Sequence, residues 1–218
     1  MGDWGITDGN GIIIDDTMYT QSTWLSDENR QLIGTAKRYP GRTLIEGNMC
    51  NYNGGSGVQA FYAANATIKN NTCVGNRQFA FDRDRNYSNH GQIAITDSDN
   101  NHILNNVLVS DWVSVAFGSG GAPFAASEYG GGVNFWEANL LHSKIANSQL
   151  TNSAHIELDS VIADPQFIDE SAFNYCSLAG EGLGRSWTDH VYFDIQNVRV
   201  EAGQRVDLGC VQTPNQNP

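Results

Sequence analysis

The chain has 218 residues, of which 24 are acidic and 12 basic, so its formal net charge is −12. A negative charge of this size argues against nucleic acid and against an anionic membrane surface as partners. The sequence contains no apolar run long enough to span a membrane, and its length predicts a single domain. Glycine is common and proline is scarce, which suits a fold with many tight corners.

The first residues, MGDWGITDGNG, contain neither the basic segment nor the apolar segment of a signal peptide. A strand predicted at residues 12–15 follows almost at once, so little chain precedes it to cover its edge. We therefore expect either that the natural protein is longer or that a second copy packs against this end, which would make a homo-oligomer.

A repeat organises the sequence between residues 43 and 141. The segment Thr43–Cys50 returns 23 residues later as Thr67–Cys73, with Ile45 matching Ile68. Further copies are His102–Val109 and, more weakly, Trp136–Leu141. Repeats of this length with β-rich, asparagine-rich content are typical of solenoids, in which each repeat is one turn of the chain.

The repeat has a second half, in which Gly57–Tyr62 matches Gly11–Asp16 and Gln92–Asp97. Apolar residues alternate in these segments with period two, which predicts strands. Val58 and Ala60 are expected to point inward and to be buried against the same positions of turns stacked about 4.8 Å away. The residues expected to point outward are Ile13, Asp15, Gln59, Phe61, Ala94 and Thr96.

Three segments do not fit the repeat and are predicted to leave it as loops, at residues 20–42, 77–89 and 118–132. The first two hold seven of the twelve basic residues of the chain. These seven are Arg30, Lys37, Arg38, Arg42, Arg77, Arg83 and Arg85. One interpretation is a wall that binds carboxylates; the other is two solvated loops with weak local ion pairs.

The order of the motifs resembles bacterial right-handed parallel β-helix proteins of the pectate-lyase-like superfamily. The likeness rests on GNGIIID, on NGGSG followed by NATIKNNTCVGN, and on DPQFID at Asp164–Asp169. It implies an all-β fold, a right-handed parallel β-helix (β-solenoid) with an irregular C-terminal cap. It places the coils at about residues 5–160, the cap at about 161–212 and a tail at 213–218. It also implies an extracellular or cell-surface location.

Two columns of identical residues follow from the repeat. One asparagine per turn is expected to bond the backbone at a corner, a structural role, at Asn48, Asn71, Asn106 and Asn139. Cys50 and Cys73 take the same place on successive turns, close enough for a disulfide, although parallel side chains give poor disulfide geometry. We favour free thiols in an apolar column, and the disulfide stays open.

The outer face of the first predicted sheet is the candidate binding surface. Aromatic rings stack on sugars and amides bond to hydroxyls, so the substrate-binding candidates are Gln59, Phe61 and, from the first loop, Arg42. The alternative is a solvated sheet face with Phe61 covered by a loop.

The resemblance also implies an activity: a polysaccharide lyase that acts by β-elimination on a uronate polymer. An arginine would neutralise the sugar carboxylate and a base would remove a proton, for which the candidates are Arg83, Arg85, Tyr62 and His90. Related lyases hold Ca²⁺ with clustered aspartates, which implies a calcium site here at Asp8, Asp15 and Asp16. Such an ion would let an acidic protein bind an acidic polymer.

Two other functions stay open. The protein is alternatively a non-catalytic carbohydrate-binding or adhesin module, or a fragment of a larger exported protein. A pair of its carboxylates could also serve a glycosidase, because spacing along the sequence does not separate these chemistries.

Overall fold

The structure is a computed structural model of the chain. It describes residues 9–17, 39–77, 91–111, 124–145, 148–158 and 160–172, and elsewhere the backbone of short strands only. In chain order the strands are β1 Ile12–Asp15, β2 Thr23–Trp24, β3 Leu32–Ile33, β4 Thr43–Glu46, β5 Met49–Asn51, β6 Val58–Phe61, β7 Ala66–Lys69, β8 Thr72–Val74, β9 Ile93–Thr96, β10 His102–Leu104, β11 Val107–Ser110, β12 Ala126–Tyr129, β13 Phe135–Glu137, β14 Leu140–Ser143, β15 Val161–Ile162, β16 Phe167–Asp169, β17 Asn174–Ser177, β18 Ser186–Trp187, β19 Tyr192–Phe193, β20 Arg199–Val200 and β21 Arg205–Val206. Helix α1 spans Ala154–Leu158, and a 3-10 turn spans Glu170–Ala172.

Three parallel sheets make up the main body, so the fold is all-β. Sheet 1 has the order β1-β6-β9-β12, sheet 2 has β13-β10-β7-β4, and sheet 3 has β15-β14-β11-β8-β5. The chain visits sheets 1, 2 and 3 in turn four times, and we call each such passage a circuit. The short pairs β2–β3, β16–β17, β18–β21 and β19–β20 are antiparallel.

The register of the strands confirms the predicted repeat. In sheet 2, Ile45 pairs with Ile68, Ile68 with Ile103, and Ile103 with Trp136. In sheet 3, Cys50 pairs with Cys73, and the column continues through Leu108 and Leu141. All of these pairs are parallel, so equal positions of successive circuits lie side by side.

The core consists of the inward-pointing residues of the three sheets. Val58 and Ala60 are fully buried, as the alternation predicts, and Ile93 and Ile95 lie beside them in register. Exposure falls from 7 % at Ile45 in the first circuit to zero at Ile68 in the second. The neighbouring circuit therefore completes the burial of this column, and buried apolar surface contributes about 25 cal/mol per Å².

Cys50 and Cys73 are free thiols in this core, as favoured from the sequence. A hydrogen bond from Cys73 lowers the pKa of the Cys50 thiol, and burial opposes this shift. Both side chains belong to the same apolar cluster as Leu108 and Leu141.

The prediction of a loop over residues 118–132 is wrong for part of that range. Ala126–Tyr129 forms β12, which pairs in parallel with β9 and completes sheet 1. The sequence conceals this strand because Glu128 stands in register with Ile95, where earlier circuits have an apolar residue.

The predicted asparagine column is a ladder of amides. The side-chain oxygen of Asn106 accepts hydrogen bonds from the backbone nitrogen and the amide nitrogen of Asn71, at 2.9 and 3.0 Å. The amide nitrogen of Asn106 donates to the Ile68 carbonyl at 3.0 Å and to the Asn139 side-chain oxygen at 2.9 Å. This confirms the structural role, because each amide satisfies backbone groups of the neighbouring circuit.

Similar ladders stand at the other two corners, where the sequence analysis did not find them. Between sheets 3 and 1, Asn53 donates from its backbone to the Asn76 side chain at 3.1 Å, and Asn76 donates likewise to Gln92 at 2.7 Å. Between sheets 1 and 2, the Asn101 backbone donates to the Asn134 side chain at 3.2 Å. Every corner therefore carries its own column of amides.

We predict that Asn106→Ala destabilises the protein by at least about 3 kcal/mol, because it leaves several buried polar groups without partners. Asn48→Ala should cost clearly less, since Asn48 is only half-buried and water can replace its bonds. Chemical denaturation of both variants measures the difference. Equal losses for the two positions would contradict the structural role assigned to the ladder.

A column of left-handed residues ends the strands of sheet 2. Gly47, Asn70, Asn105 and Ala138 follow the four strands, with φ angles of 68°, 53°, 57° and 52°. Glycine and asparagine adopt this conformation readily, whereas alanine pays about 1–2 kcal/mol for it.

We predict that Ala138→Gly stabilises the protein, by up to about 1 kcal/mol, because it removes this strain. Ala94→Gly is the control: Ala94 lies within β9, and glycine inside a strand should destabilise by roughly 0.5–1 kcal/mol. Thermal unfolding of both variants shows whether each melting temperature rises or falls. A lower melting temperature for Ala138→Gly would show that Ala138 is not strained.

Candidate functional site

The outer face of sheet 1 carries two rows of side chains, and exposure falls along the stack in the row that begins at Ile13. Ile13 of the first circuit is 45 % exposed, and Asp15 beside it is exposed. Gln59 and Phe61, their partners in the second circuit, are half-buried. In the third circuit Ala94 is fully buried although the register places it on the same face. The row that begins at Ile13 is therefore accessible in the first two circuits only, whereas Phe61, Thr96 and Tyr129 in the row of Asp15 are all half-buried.

Phe61 and Tyr62 form an aromatic pair at the end of β6. Their ring centroids are 4.3 Å apart and their planes are inclined by 65°, an edge-to-face contact. The backbone of Tyr62 has a φ of 47°, which is uncommon for a bulky residue. Asp16 and Asp97 hold the same conformation at the same place in the neighbouring circuits, so the corner requires it. The left-handed turn thus sets the direction of the Tyr62 side chain.

Gln59 is held by a neighbour at the open side of the face. Its side-chain oxygen accepts a hydrogen bond from the Asn10 amide at 2.8 Å, and the Asn10 oxygen accepts one from the Ser56 backbone at 2.7 Å. This pair fixes the orientation of the Gln59 amide, so its nitrogen faces away from Asn10. A fixed amide beside two rings is a suitable arrangement for binding sugar hydroxyls.

The structure brings together most of the described candidates and separates one. Asp15 is the register partner of Phe61, and the Asp16 backbone donates to the Phe61 carbonyl at 3.1 Å. Arg42 is exposed but directly precedes β4, so it belongs to the edge of sheet 2. The candidates Arg83, Arg85, His90 and Asp8 lie outside the described residues.

One basic residue of the predicted loops does lie beside sheet 1. Arg77 is 8 % exposed and acts electrostatically on Tyr129, which faces outward at the end of β12. Burial raises the pKa of the Tyr129 hydroxyl, and the charge of Arg77 partly offsets this rise. The upper part of the face thus holds a buried positive charge next to a phenol.

Within the part of the chain that the structure describes, no three histidine, cysteine, aspartate or glutamate side chains lie close enough to hold a metal ion. Asp15 and Asp16 offer the oxygen ligands that Ca²⁺ prefers, but the third candidate, Asp8, lies outside this part. The calcium site therefore stays a prediction.

A second cluster, which the sequence analysis missed, lies where the strands of sheet 3 end. Lys144 lies 3.9 Å from the Asp111 carboxylate and is paired with Glu170. The Tyr52 hydroxyl bonds to the Asp111 carboxylate. A side chain at Gly75 would lie 2.6 Å from that carboxylate, so glycine makes the approach possible. The four circuits contribute Tyr52, Gly75, Asp111 and Lys144 in turn, and Glu170 comes from the segment after β16.

The carboxyl group of Asp111 has a raised pKa, because burial disfavours its charge more than Lys144 and Tyr52 favour it. One of its oxygens is buried without a hydrogen bond. Asp111 and Lys144 each come directly after an aligned strand, at β11 and β14, so the repeat alone would have placed them at one corner.

Comparison of the chain with family models, with curated proteins and with solved structures finds no match. In addition, none of the helices among the described residues has the length and apolar character needed to cross a membrane.

We predict that Asp111→Asn changes the pH dependence of stability. The carboxyl has its usual pKa of 3.8 when unfolded and a higher one when folded, so the folded state binds more protons between these values. Wild-type stability should therefore fall relative to that of the variant as the pH rises above about 4. Chemical denaturation of both proteins at a series of pH values from about 3.5 to about 7 measures this difference.

Lys144→Met serves as the companion variant. It removes the positive charge that lowers the pKa of Asp111, so the fall of stability with rising pH should become larger and extend to higher pH. If the stability of wild type and of Asp111→Asn changes with pH in the same way, burial of the charged Asp111 carboxylate does not destabilise the fold.

Proposed function

We propose that the three sheets are the sides of a right-handed parallel β-helix. Each return of the chain to the same sheet is a parallel crossover, and such connections are right-handed in about 98 % of cases. The four circuits in register support the proposal, as does one amide ladder at each corner.

We further propose that the protein acts on an acidic polysaccharide through the outer face of sheet 1. The observation that carries this proposal is the accessible row of Asp15, Gln59, Phe61 and Tyr62, in which rings, a fixed amide and a carboxylate lie side by side. A sugar chain that crosses the strands would meet the carboxylate of the first circuit and then the amide and the rings of the second. Arg77 beside Tyr129 adds positive charge to the same face.

The proposed reaction is β-elimination on a uronate. Arg83 or Arg85 would neutralise the sugar carboxylate, which makes the neighbouring C5 proton more acidic. Tyr62 or His90 would then take that proton, and the C4–oxygen bond would break as the C4–C5 double bond forms. Tyr62 is suited to this task by its place on the face, next to Phe61. Ca²⁺, if bound, would be held by Asp8, Asp15 and Asp16 and would neutralise the same carboxylate.

A non-catalytic carbohydrate-binding module is the second candidate. The contact between Phe61 and Tyr62 favours it, because an aromatic pair next to an amide binds sugars without any base. The two candidates share a surface and differ only in whether the sugar chain is cut.

An assay with alginate, pectate and ulvan, each with Ca²⁺ and with a chelator, tests the proposal. A lyase produces an unsaturated sugar end, so ultraviolet absorbance should rise with time on one of the polymers. Binding heat without a rise in absorbance would select the non-catalytic module. Neither signal on any polymer would overturn the proposed function.

Variants of the face locate the site. Phe61→Ala should weaken polymer binding by roughly 10-fold, since an aromatic contact is worth about 1 kcal/mol beyond its burial. The matched control is Phe135→Ala, an exposed ring on sheet 2 that should leave binding unchanged. The double variant Arg83→Ala, Arg85→Ala should lose about 1.5–3 kcal/mol per lost charged contact, whereas Arg199→Ala should lose none. If Phe61→Ala and the double arginine variant bind the polymer as tightly as wild type does, the site lies elsewhere.

A further inference from the structure

A carboxylate occupies a core position at the last full circuit of the stack. Glu128 stands in register with the inward-pointing Ile95, and its side chain is only 10 % exposed. It accepts hydrogen bonds from the Trp136 indole at 2.7 Å and from the Asn134 amide at 2.9 Å. These two donors fix both oxygens of the carboxylate.

The same carboxylate reaches a histidine and, through it, a serine. The Nε2 atom of His155 lies 3.1 Å from the Glu128 Oε2 atom. The Nδ1 atom of His155 lies 2.6 Å from the Ser153 hydroxyl oxygen. One neutral tautomer satisfies both contacts: Nε2–H donates to Glu128, and Nδ1 accepts the Ser153 hydroxyl proton.

The segment that carries Ser153 and His155 is firmly seated. Asn152 is bound to the backbone of Glu128 at both ends of its amide, at 2.9 and 2.6 Å. Thr151 pairs with Ala126 in sheet 1, and Ile156 of α1 is fully buried in the core. The segment just before α1 that carries Ser153 is therefore tied to β12, the strand that carries Glu128, by hydrogen bonds on both sides.

We propose that Ser153, His155 and Glu128 form an esterase centre, independent of the polysaccharide site on sheet 1. A nucleophile in contact with a base, which is oriented in turn by a third group, is the geometric signature of nucleophilic acyl transfer. Ser153 and His155 are the catalytic residues, and Glu128 is the positioning residue. The His155 side chain is 48 % exposed, which fits an acyl ester displayed on the surface of a larger molecule or a small soluble ester.

The reaction balances as an ordinary ester hydrolysis. The Ser153 oxygen attacks the acyl carbon while its proton passes to Nδ1 of His155. The carbon–oxygen bond to the alcohol breaks, and His155 returns that proton to the leaving oxygen. Water then attacks the acyl-serine with His155 again as base, which releases the carboxylic acid and restores the serine.

The contacts alone also suit a purely structural role, in which serine and histidine tie α1 to the stack. The two roles differ in reactivity. A structural serine does not react with an acylating reagent faster than any other exposed hydroxyl, whereas an activated one does. The structural role predicts a change in stability and no change in labelling.

The test is covalent labelling of the whole chain with a fluorophosphonate, followed by peptide mass spectrometry, together with hydrolysis of p-nitrophenyl acetate. We expect the label on Ser153 and a fall in hydrolysis of about 10²–10⁴-fold in Ser153→Ala and in His155→Gln. The control is Ser171→Ala, whose exposed hydroxyl bonds to the Asp169 carboxylate at 2.6 Å and which should react like wild type.

Glu128→Gln tests the positioning role, and it should lower kcat with little change in KM. Should this variant fail to fold, His155→Gln decides alone, because His155 lies at the surface. Folded wild-type protein without label on Ser153, or Ser153→Ala with unchanged hydrolysis, would overturn the proposal.

Discussion

The amide ladders at the corners are the interaction on which the rest of the structure depends. Every corner turns the backbone away from a sheet, and its N–H and C=O groups lose their partners in the strand ladder. Asn71, Asn106 and Asn139 replace those partners with side-chain bonds that also join one circuit to the next. Because each amide must meet its neighbour within hydrogen-bond distance, the ladder fixes the register of the adjoining strands.

The register in turn decides what each sheet presents to its surroundings. The outer face of sheet 3 holds an apolar cluster around Val109 and Leu140, on which Phe167 and Met49 pack. Sheet 2 presents Leu44 at 54 % and Phe135 at 46 % exposure, and His102 stacks on Phe135 with centroids 4.8 Å apart. Sheet 1 lies between these extremes. One stacking rule therefore yields three surfaces, since the outward positions are free to differ.

The fold was largely predictable because the inward positions repeat. Ile45, Ile68 and Ile103 share one environment, so the sequence repeats there and the pairing can be read directly. Strand β12 was missed because Glu128 breaks the apolar pattern. The ladder at Asn76 was missed because its next member is Gln92, a longer amide that comes from a different part of the repeat.

The candidate site was less predictable for a related reason. Outward residues such as Gln59 and Phe61 could be placed, since they share the strands of the core. Arg83, Arg85 and His90 lie in a segment without the repeat, so no periodicity fixes where their side chains lie. The repeat places Asp111 and Lys144 at one corner, but it gives no sign of a cluster there, because each circuit contributes a different residue type.

The departures from the repeat are where chemistry is concentrated, and Glu128 shows why. An apolar residue at this place would pack on Ile95 and cost nothing in desolvation, whereas a buried carboxylate needs several strong partners. Glu128 has them in Trp136, Asn134 and His155, and two of these come from the same last circuit. Local rules of a fold are broken mainly where function or strain requires it. Ile156 already packs on the core next to this circuit through apolar contacts. Closing the core therefore does not require a buried carboxylate that is hydrogen-bonded to an exposed histidine, which in turn contacts a serine hydroxyl.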